Sequence, residues 1–325
     1  MLRNLIRALF SASLLGLALP AAMAQGDYPT KPIRLIVTFP PGGSTDGVVR
    51  MLTPRLNEKL GQQVLVDNRP GAGGNIGLSQ VAKAPADGYT LGLGAAGALS
   101  ANASLYEQMP FDVAKDFKPV TMLAAIPFVI VAHPSAGLRT QRELIAMARS
   151  QPGQLSIAHG GNGTAMHLSA QLFAQMAGVK FNEVPYKGSG PAALDVLAGQ
   201  VPVGVVDVPS ALQQIRAGKL IAIAVTSPQR LSQLPDVPTV AEGGLAGYDS
   251  TGWFGIVAPA ATPKAVINRL NAEFVAALND ESVRANMRAQ GVEPAPSTPE
   301  AFGAYVASET AKWAKVIRAA NIKLD

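Results

Sequence analysis

The sequence predicts an α/β fold with mainly parallel sheets, divided between two domains. Strongly apolar strands such as Leu35-Ile36-Val37 alternate with helical stretches in which apolar residues return every four positions. The order strand, glycine-rich turn, helix occurs twice, once over residues 33–60 and once over residues 155–177. At 325 residues the chain is also about twice the usual length of one domain.

The first strand covers residues 33–39 and is apolar enough to be buried on both faces. Pro40 and Pro41 end it, Gly42 and Gly43 let the backbone turn tightly, and Ser44, Thr45 or Asp46 is placed to cap a helix over 46–60. Val48, Leu52, Leu56 and Leu60 give that helix its apolar stripe, Pro54 predicts a kink, and Gly61 stops it. Val64-Leu65-Val66 reads as a second strand and runs into a glycine-rich loop over 67–75. A short helix over 78–84 and a strand over 89–93 follow. Residues 127–132 form another buried strand, and Thr140 with Glu143 makes a capping box for a helix that ends near Ser150. The second unit places a strand at 155–158, a turn at Gly160-Gly161-Asn162-Gly163-Thr164 and a helix at 166–177. Helix 192–198, strand 201–206, helix 210–217 and strands 220–226 and 252–258 come next, and the last of these can return the chain to the first domain. Thr262-Pro263 and Thr298-Pro299 each put a cap before a first-turn proline and open helices over 263–279 and 299–320.

Composition narrows the function classes. Hydrophobic residues make up 48% of the chain and charged residues 15%, which supplies a sizeable core and argues against disorder. Residues 1–24 read as a secretory signal: Arg3 and Arg7 form its basic start, residues 8–19 its apolar run and Ala22-Met23-Ala24 its cleavage site before Gln25. Removing those two arginines lowers the formal charge from +5 to +3, with no basic stripe, so no nucleic-acid partner is expected. The chain has no cysteine, hence no disulfide and no lipid-bearing anchor. A soluble, periplasmic, monomeric protein is expected.

The motifs point to binding rather than to chemistry. A glycine-rich turn between a strand and a helix aims free N–H groups at one point, where the helix dipole also favours an anion. Two such turns facing each other make a pincer. Gly92-Leu93-Gly94-Ala95-Ala96-Gly97 fits the dinucleotide pattern, yet no striped helix or acidic strand end follows it, and a chain with 32 glycines produces such matches by chance. His133, His159 and His167 are the only histidines and lack metal-ligand spacing, so neither metal nor cofactor is expected. His167, in the first turn after the second loop, is placed either to touch a ligand or to cap or pack. Asp207, at a strand's carboxyl end, is placed either at the ligand or as a helix cap. Ser44, His167 and Asp207 are the loose candidates for a hydrolytic triad, and no nucleophile elbow accompanies them.

Several long motifs, in order, resemble the Bug family of periplasmic receptors for tripartite tricarboxylate transporters. They are residues 33–37, Pro41-Gly42-Gly43-Ser44-Thr45-Asp46, Asn68-Arg69-Pro70-Gly71-Ala72-Gly73-Gly74, Asp87-Gly88-Tyr89-Thr90, Val184-Pro185-Tyr186-Lys187-Gly188, Leu234-Pro235-Asp236-Val237-Pro238-Thr239 and Ala258-Pro259. The resemblance covers residues 28–320 and implies a two-domain, type II periplasmic-binding-protein clamshell whose chain crosses twice between domains. The implied division is a signal at 1–24, one domain at 25–126 and 257–325, and a second at 127–256. It implies a ligand carboxylate held by Pro41 to Asp46 and by Gly160 to Thr164 with His167, and Gly188, Ser189 and Asp207 complete the expected site. The family often carries Ser where this chain has His159, and commonly Pro where it has Thr38. The implied function is capture of a small carboxylate for transient delivery to membrane transport subunits, without catalysis. A ligand sensor for a membrane kinase and, more remotely, a secreted hydrolase are the competing readings.

Overall fold

The computed structural model describes residues 28–320 and 322. The expected signal at residues 1–24 lies outside the described residues. Strand β1 (Ile33–Val37) pairs in parallel with β2 (Val64–Asn68) and β3 (Thr90–Ala95). Its Ile33, Leu35, Ile36 and Val37 are fully buried, as an apolar run covered by helices on both faces should be. Helix α1 (Ser44–Leu60) turns Val48, Leu52, Leu56 and Leu60 inward and ends on Gly61, whose φ of 64° is the left-handed closing conformation glycine favours. Pro54 lies on its exposed face without ending the helix. The Arg50 carbonyl, which Pro54 has no N–H to serve, accepts the Thr53 hydroxyl at 3.2 Å.

Helix α2 (Asn75–Ala82) precedes β3, and a π-helical turn (Gly97–Ala101) follows it. After the short α3 (Val113–Asp116) comes β4 (Phe117–Ala132), which joins the two halves of the sheet. Residues Phe117 to Pro127 of β4 pair antiparallel with β9 (Thr251–Pro259), which in turn pairs with β3. Residues Phe128 to Ala132 pair instead with β7 (Val203–Asp207), and Val129 to Ala132 also with β8 (Ile221–Val225). Beyond β7 the second half continues in parallel through β5 (Ser156–His159) to β6 (Asn182–Pro185). Each half thus has a three-stranded parallel block, and β4 and β9, which carry the chain across, pair antiparallel with each other. The return passes near Ser250, whose N–H donates to the Thr226 carbonyl at 3.0 Å and whose carbonyl accepts the Thr226 hydroxyl at 2.6 Å.

Helices α4 (Gln141–Ser150), α5 (Ala165–Ala177), α6 (Ser189–Leu197) and α7 (Val208–Arg216) serve the second half. The last section of the chain, α8 (Lys264–Asn279), α9 (Glu281–Ala289), the short β10 (Glu293–Pro294) and α10 (Pro299–Ala320), packs against the first. The expected capping box is present: Thr140 Oγ1 accepts the Glu143 N–H at 3.2 Å and Glu143 accepts the Thr140 N–H at 2.9 Å. Thr298 caps α10 by accepting the Ala301 N–H at 3.1 Å. Thr262 does not cap α8, for its hydroxyl is buried without a partner. Among the described residues no helix is long and apolar enough to cross a membrane.

Candidate functional site

A cavity of about 220 Å³ lies where the two halves of the sheet meet. Its first wall is the turn after β1. Gly43 is the N-cap of α1 and no side chain caps it, so the expected roles of Ser44 and Thr45 as caps are not realised. Asp46 reaches back instead, accepting the Gly42 N–H at 2.9 Å, Arg50 Nε at 2.8 Å and Asn68 Nδ2 at 3.1 Å. Asn68 also ties the turn down by donating to the Phe39 carbonyl at 2.9 Å. Burial would raise the Asp46 carboxyl, but the bonds from Arg50, Gly42 and Asn68 outweigh it and hold the group below the usual carboxylate range. Among the described residues, the N–H groups of Gly43, Ser44 and Thr45 meet no acceptor. Pro41, Gly42 and Gly43 line the cavity beside Ser44 and Thr45, whereas Asp46 stands behind them as their brace. Asp46→Ala should therefore loosen the turn and cost about 1–2 kcal/mol in stability to urea. An unchanged unfolding midpoint would remove Asp46 as the brace.

The second wall faces the first. Gly188 (φ 123°) turns the chain into α6, and the N–H groups of Ser189 and Gly190 also lack acceptors among the described residues. A Cβ on Gly190 would stand 4.0 Å from the Gly43 Cα, so the two turns nearly touch across the cavity. Asp207 is a helix cap and also lines the cavity. Its Oδ1 caps α7 by accepting the Ser210 N–H at 3.0 Å, and its Oδ2 accepts the Ser44 hydroxyl across the cavity. Ser189 Oγ accepts the Asp207 N–H at 2.8 Å and fixes that end of β7. Ala165 and Met166, the first residues of α5, also line the cavity. Three helix N-termini, of α1, α5 and α6, therefore meet there, each with the positive end of its dipole.

The glycine-rich turn before α5 is placed differently from expectation. Gly160, Gly161 and Asn162 line an adjoining hollow, which shares Phe39 and Lys187 with the main cavity and is completed by the Gly71–Gly74 segment and Tyr106; neither Gly163 nor Thr164 lines the main cavity. Three of its N–H groups are engaged: Gly161 donates to His159 Nδ1 at 3.2 Å, Gly163 to His167 Nδ1 at 3.4 Å and Thr164 to the Gly161 carbonyl at 3.1 Å. Thr164 Oγ1 donates to the Gly161 carbonyl at 2.7 Å and accepts the His167 N–H at 3.3 Å. His167 is 3% exposed and lies 3.4 Å from Glu183 through its Nε2. It lies behind the loop and is not among the residues lining the main cavity.

This placement also separates the triad candidates. Ser44 meets Asp207 directly with no imidazole between them, while His167 pairs with Glu183. His159, His167 and Glu183 do cluster, with their donor atoms within 4.8 Å of one another. In each histidine, however, Nδ1 accepts a backbone N–H, which puts the ring proton of the neutral form on Nε2 and removes the lone pair a metal needs. The cluster is a hydrogen-bonded support for the loop.

Sequence reasoning missed the apolar walls: Phe39, Ile126, Phe128, Leu194, Trp253 and Phe254 line the cavity, with Lys187 among its lining residues. Ile126 and Phe128 flank the point where β4 changes partners, and Trp253 and Phe254 lie in β9 beside it. A strand that crosses between two halves of a sheet must present side chains to the gap between them, which was the available signal.

The comparisons with known proteins bear on the family and the fold. The model of the family "Tripartite tricarboxylate transporter family receptor" matches residues 48–322. Protein BugT of Bordetella pertussis is 40% identical over 310 residues, covering 95% of this chain and 94% of its own. A structure of an R. palustris protein with adipate superposes with a TM-score of 0.88 at 37% identity, covering 91% of this chain and all of that one. MatC of Rhodopseudomonas palustris with bound malate superposes with a TM-score of 0.85 at 31% identity, covering 89% of this chain and all of that one. The fold is that of the periplasmic binding proteins, and the chain belongs to the tripartite tricarboxylate transporter receptor family, whose members are solute-binding receptors and not enzymes.

Proposed function

We propose that this protein captures a small carboxylate in the periplasm, between two lobes, and hands it to membrane transport subunits. One observation carries the reading: unpartnered N–H groups at the starts of α1 and α6 converge on one cavity from opposite sides. A carboxylate there accepts several charge-assisted bonds at the positive ends of helix dipoles, and no arginine is needed. The small acids in the related structures, adipate and malate, support the same class of ligand here. Of the residues expected at the site, Pro41 to Thr45, Gly188, Ser189 and Asp207 are assigned to the ligand. Gly160 to Thr164 and His167 are assigned to supporting the lobe contact.

The lobes are drawn as residues 28–126 with 251–320, and residues 127–250. The return is placed before the expected 256/257 boundary because Thr251 to Ile256 pair with the part of β4 that serves the first half of the sheet. A ligand bridging the two turns should draw the lobes together about these crossings. Calorimetry over a panel of mono-, di- and tricarboxylates tests capture, and small-angle scattering with the best binder tests closure. The expected result is saturable binding with a smaller radius of gyration. Binding without any change in the profile would overturn the clamshell mechanism, and no binding across the panel would overturn the carboxylate reading.

A further inference from the structure

The same cavity carries information about the part of the ligand that is not the carboxylate. Beyond the two turns its walls are almost entirely hydrocarbon: Phe39, Phe128, Met166, Trp253 and Phe254 surround it. Trp253 directs its ring N–H away from the cavity, to Glu309 Oε2 at 3.4 Å, and so presents only its apolar face. Among the described residues Lys187 is the one basic residue on the wall; it is exposed, where water weakens its pull on an anion. Asp207 is the one acidic residue, 2% exposed and held by Ser44 and Ser210.

Resting on the carboxylate reading above, we propose that the cavity selects a monocarboxylate with an apolar body of aromatic size, and that Asp207 is the residue that excludes dicarboxylates. The anion end is served by the N–H groups of α1 and α6. A second carboxylate inside would face either bare aromatic rings or the Asp207 carboxylate. An unpaired buried charge and a like-charge contact are both strongly unfavourable. An apolar ring, by contrast, replaces water against five hydrophobic side chains. The space suffices, since a cavity of about 150 Å³ is known to hold benzene, and here the volume is about 220 Å³.

Calorimetry with benzoate, adipate and malate decides the matter, on the native protein and on Asp207→Asn. The asparagine retains an acceptor for the Ser210 N–H and removes the charge, and a thermal unfolding curve checks that the variant is folded. Benzoate is expected to bind native protein at least tenfold more tightly than either diacid. In Asp207→Asn the preference for benzoate over the diacids should fall at least tenfold, whatever the change in benzoate's own affinity. Adipate or malate binding the native protein as tightly as benzoate would overturn this selectivity and leave the carboxylate receptor standing. An unchanged gap in Asp207→Asn would remove Asp207 as the excluding residue. Absence of binding by all three would overturn both readings.

Discussion

Gly97→Ala is expected to weaken ligand binding about tenfold to a hundredfold while the protein stays folded. Gly97 begins the π-helical turn after β3, and a Cβ there would overlap the carbonyl oxygen of Gly163 and stand 3.1 Å from the Thr164 Cα. Gly73 makes a second such approach, where a Cβ would lie 2.8 Å from the Asn162 carbonyl oxygen. The first half of the sheet therefore meets the loop before α5 backbone to backbone, with no room for a methyl group. Neither backbone can give way as a flexible side chain would, so the variant must hold the halves apart. An overpacking cost of roughly 2–3 kcal/mol would fall on the closed arrangement, which is the one that binds. Gly94→Ala is the control. Its Cβ would press on Leu99 inside the first half, 2.5 Å from Cδ1, so it should lower stability rather than affinity. Calorimetry for affinity and urea unfolding for stability separate the two. A Gly97→Ala protein with native affinity, or a Gly94→Ala protein that loses affinity at native stability, would refute the assignment of this contact to closure.

The same glycines show what could be read from the sequence. Gly92, Gly94 and Gly97 match a dinucleotide pattern by chance, yet each is required by a close approach: to Val81, to Leu99 and to Gly163. Sequence locates such glycines but does not say what approaches them. Local signals fared best. Both strand–turn–helix units, the Thr140–Glu143 box and the Thr298 cap depend on neighbours in the chain and appear as expected. Strand β4 was legible only from residue 127 onward. Pro119 and Pro127 break its apolar pattern, and Pro119 lies at a shift of register against β9. The cavity was half legible. The turn after β1 and Asp207 lie at strand ends, where ligands of α/β folds gather. The loop before α5 is similarly glycine-rich, but two of its N–H groups, those of Gly161 and Gly163, are taken by histidines, and only the tertiary structure reveals that.

Those histidines lead to the second expectation: stability falls by about 3 kcal/mol as pH drops from above 6.5 toward 4, and His159 causes it. His159 is fully buried, its Nδ1 accepts the Gly161 N–H at 3.2 Å, and its Nε2 has no partner among the described residues. Burial first, and then the His167 ring 4.9 Å away, push its pKa down to about 4, against a smaller opposing pull from Glu183. In the unfolded chain the group titrates near its ordinary 6.5. Above that pH the ring is neutral in both states and the folded state keeps its full advantage. Between 6.5 and 4 the unfolded chain takes up a proton that the folded chain refuses, so stability declines as pH falls. Near pH 4 the folded ring protonates too and this loss is complete. Glu183 acts in a lower window. Burial would raise its carboxyl, but the hydrogen bond from His167 leads the opposing effects that outweigh it and hold the group below its ordinary 4.5, so its contribution persists above that pH and is lost below it. His159→Asn isolates the effect, since an amide oxygen can still accept the Gly161 N–H but does not titrate. Urea unfolding at pH 5 and pH 7 should show a clear loss for the native protein and a nearly flat response for the variant. Equal stability of the native protein at both pH values, or the same slope in His159→Asn, would mean that the buried imidazole does not set the acid response of this loop.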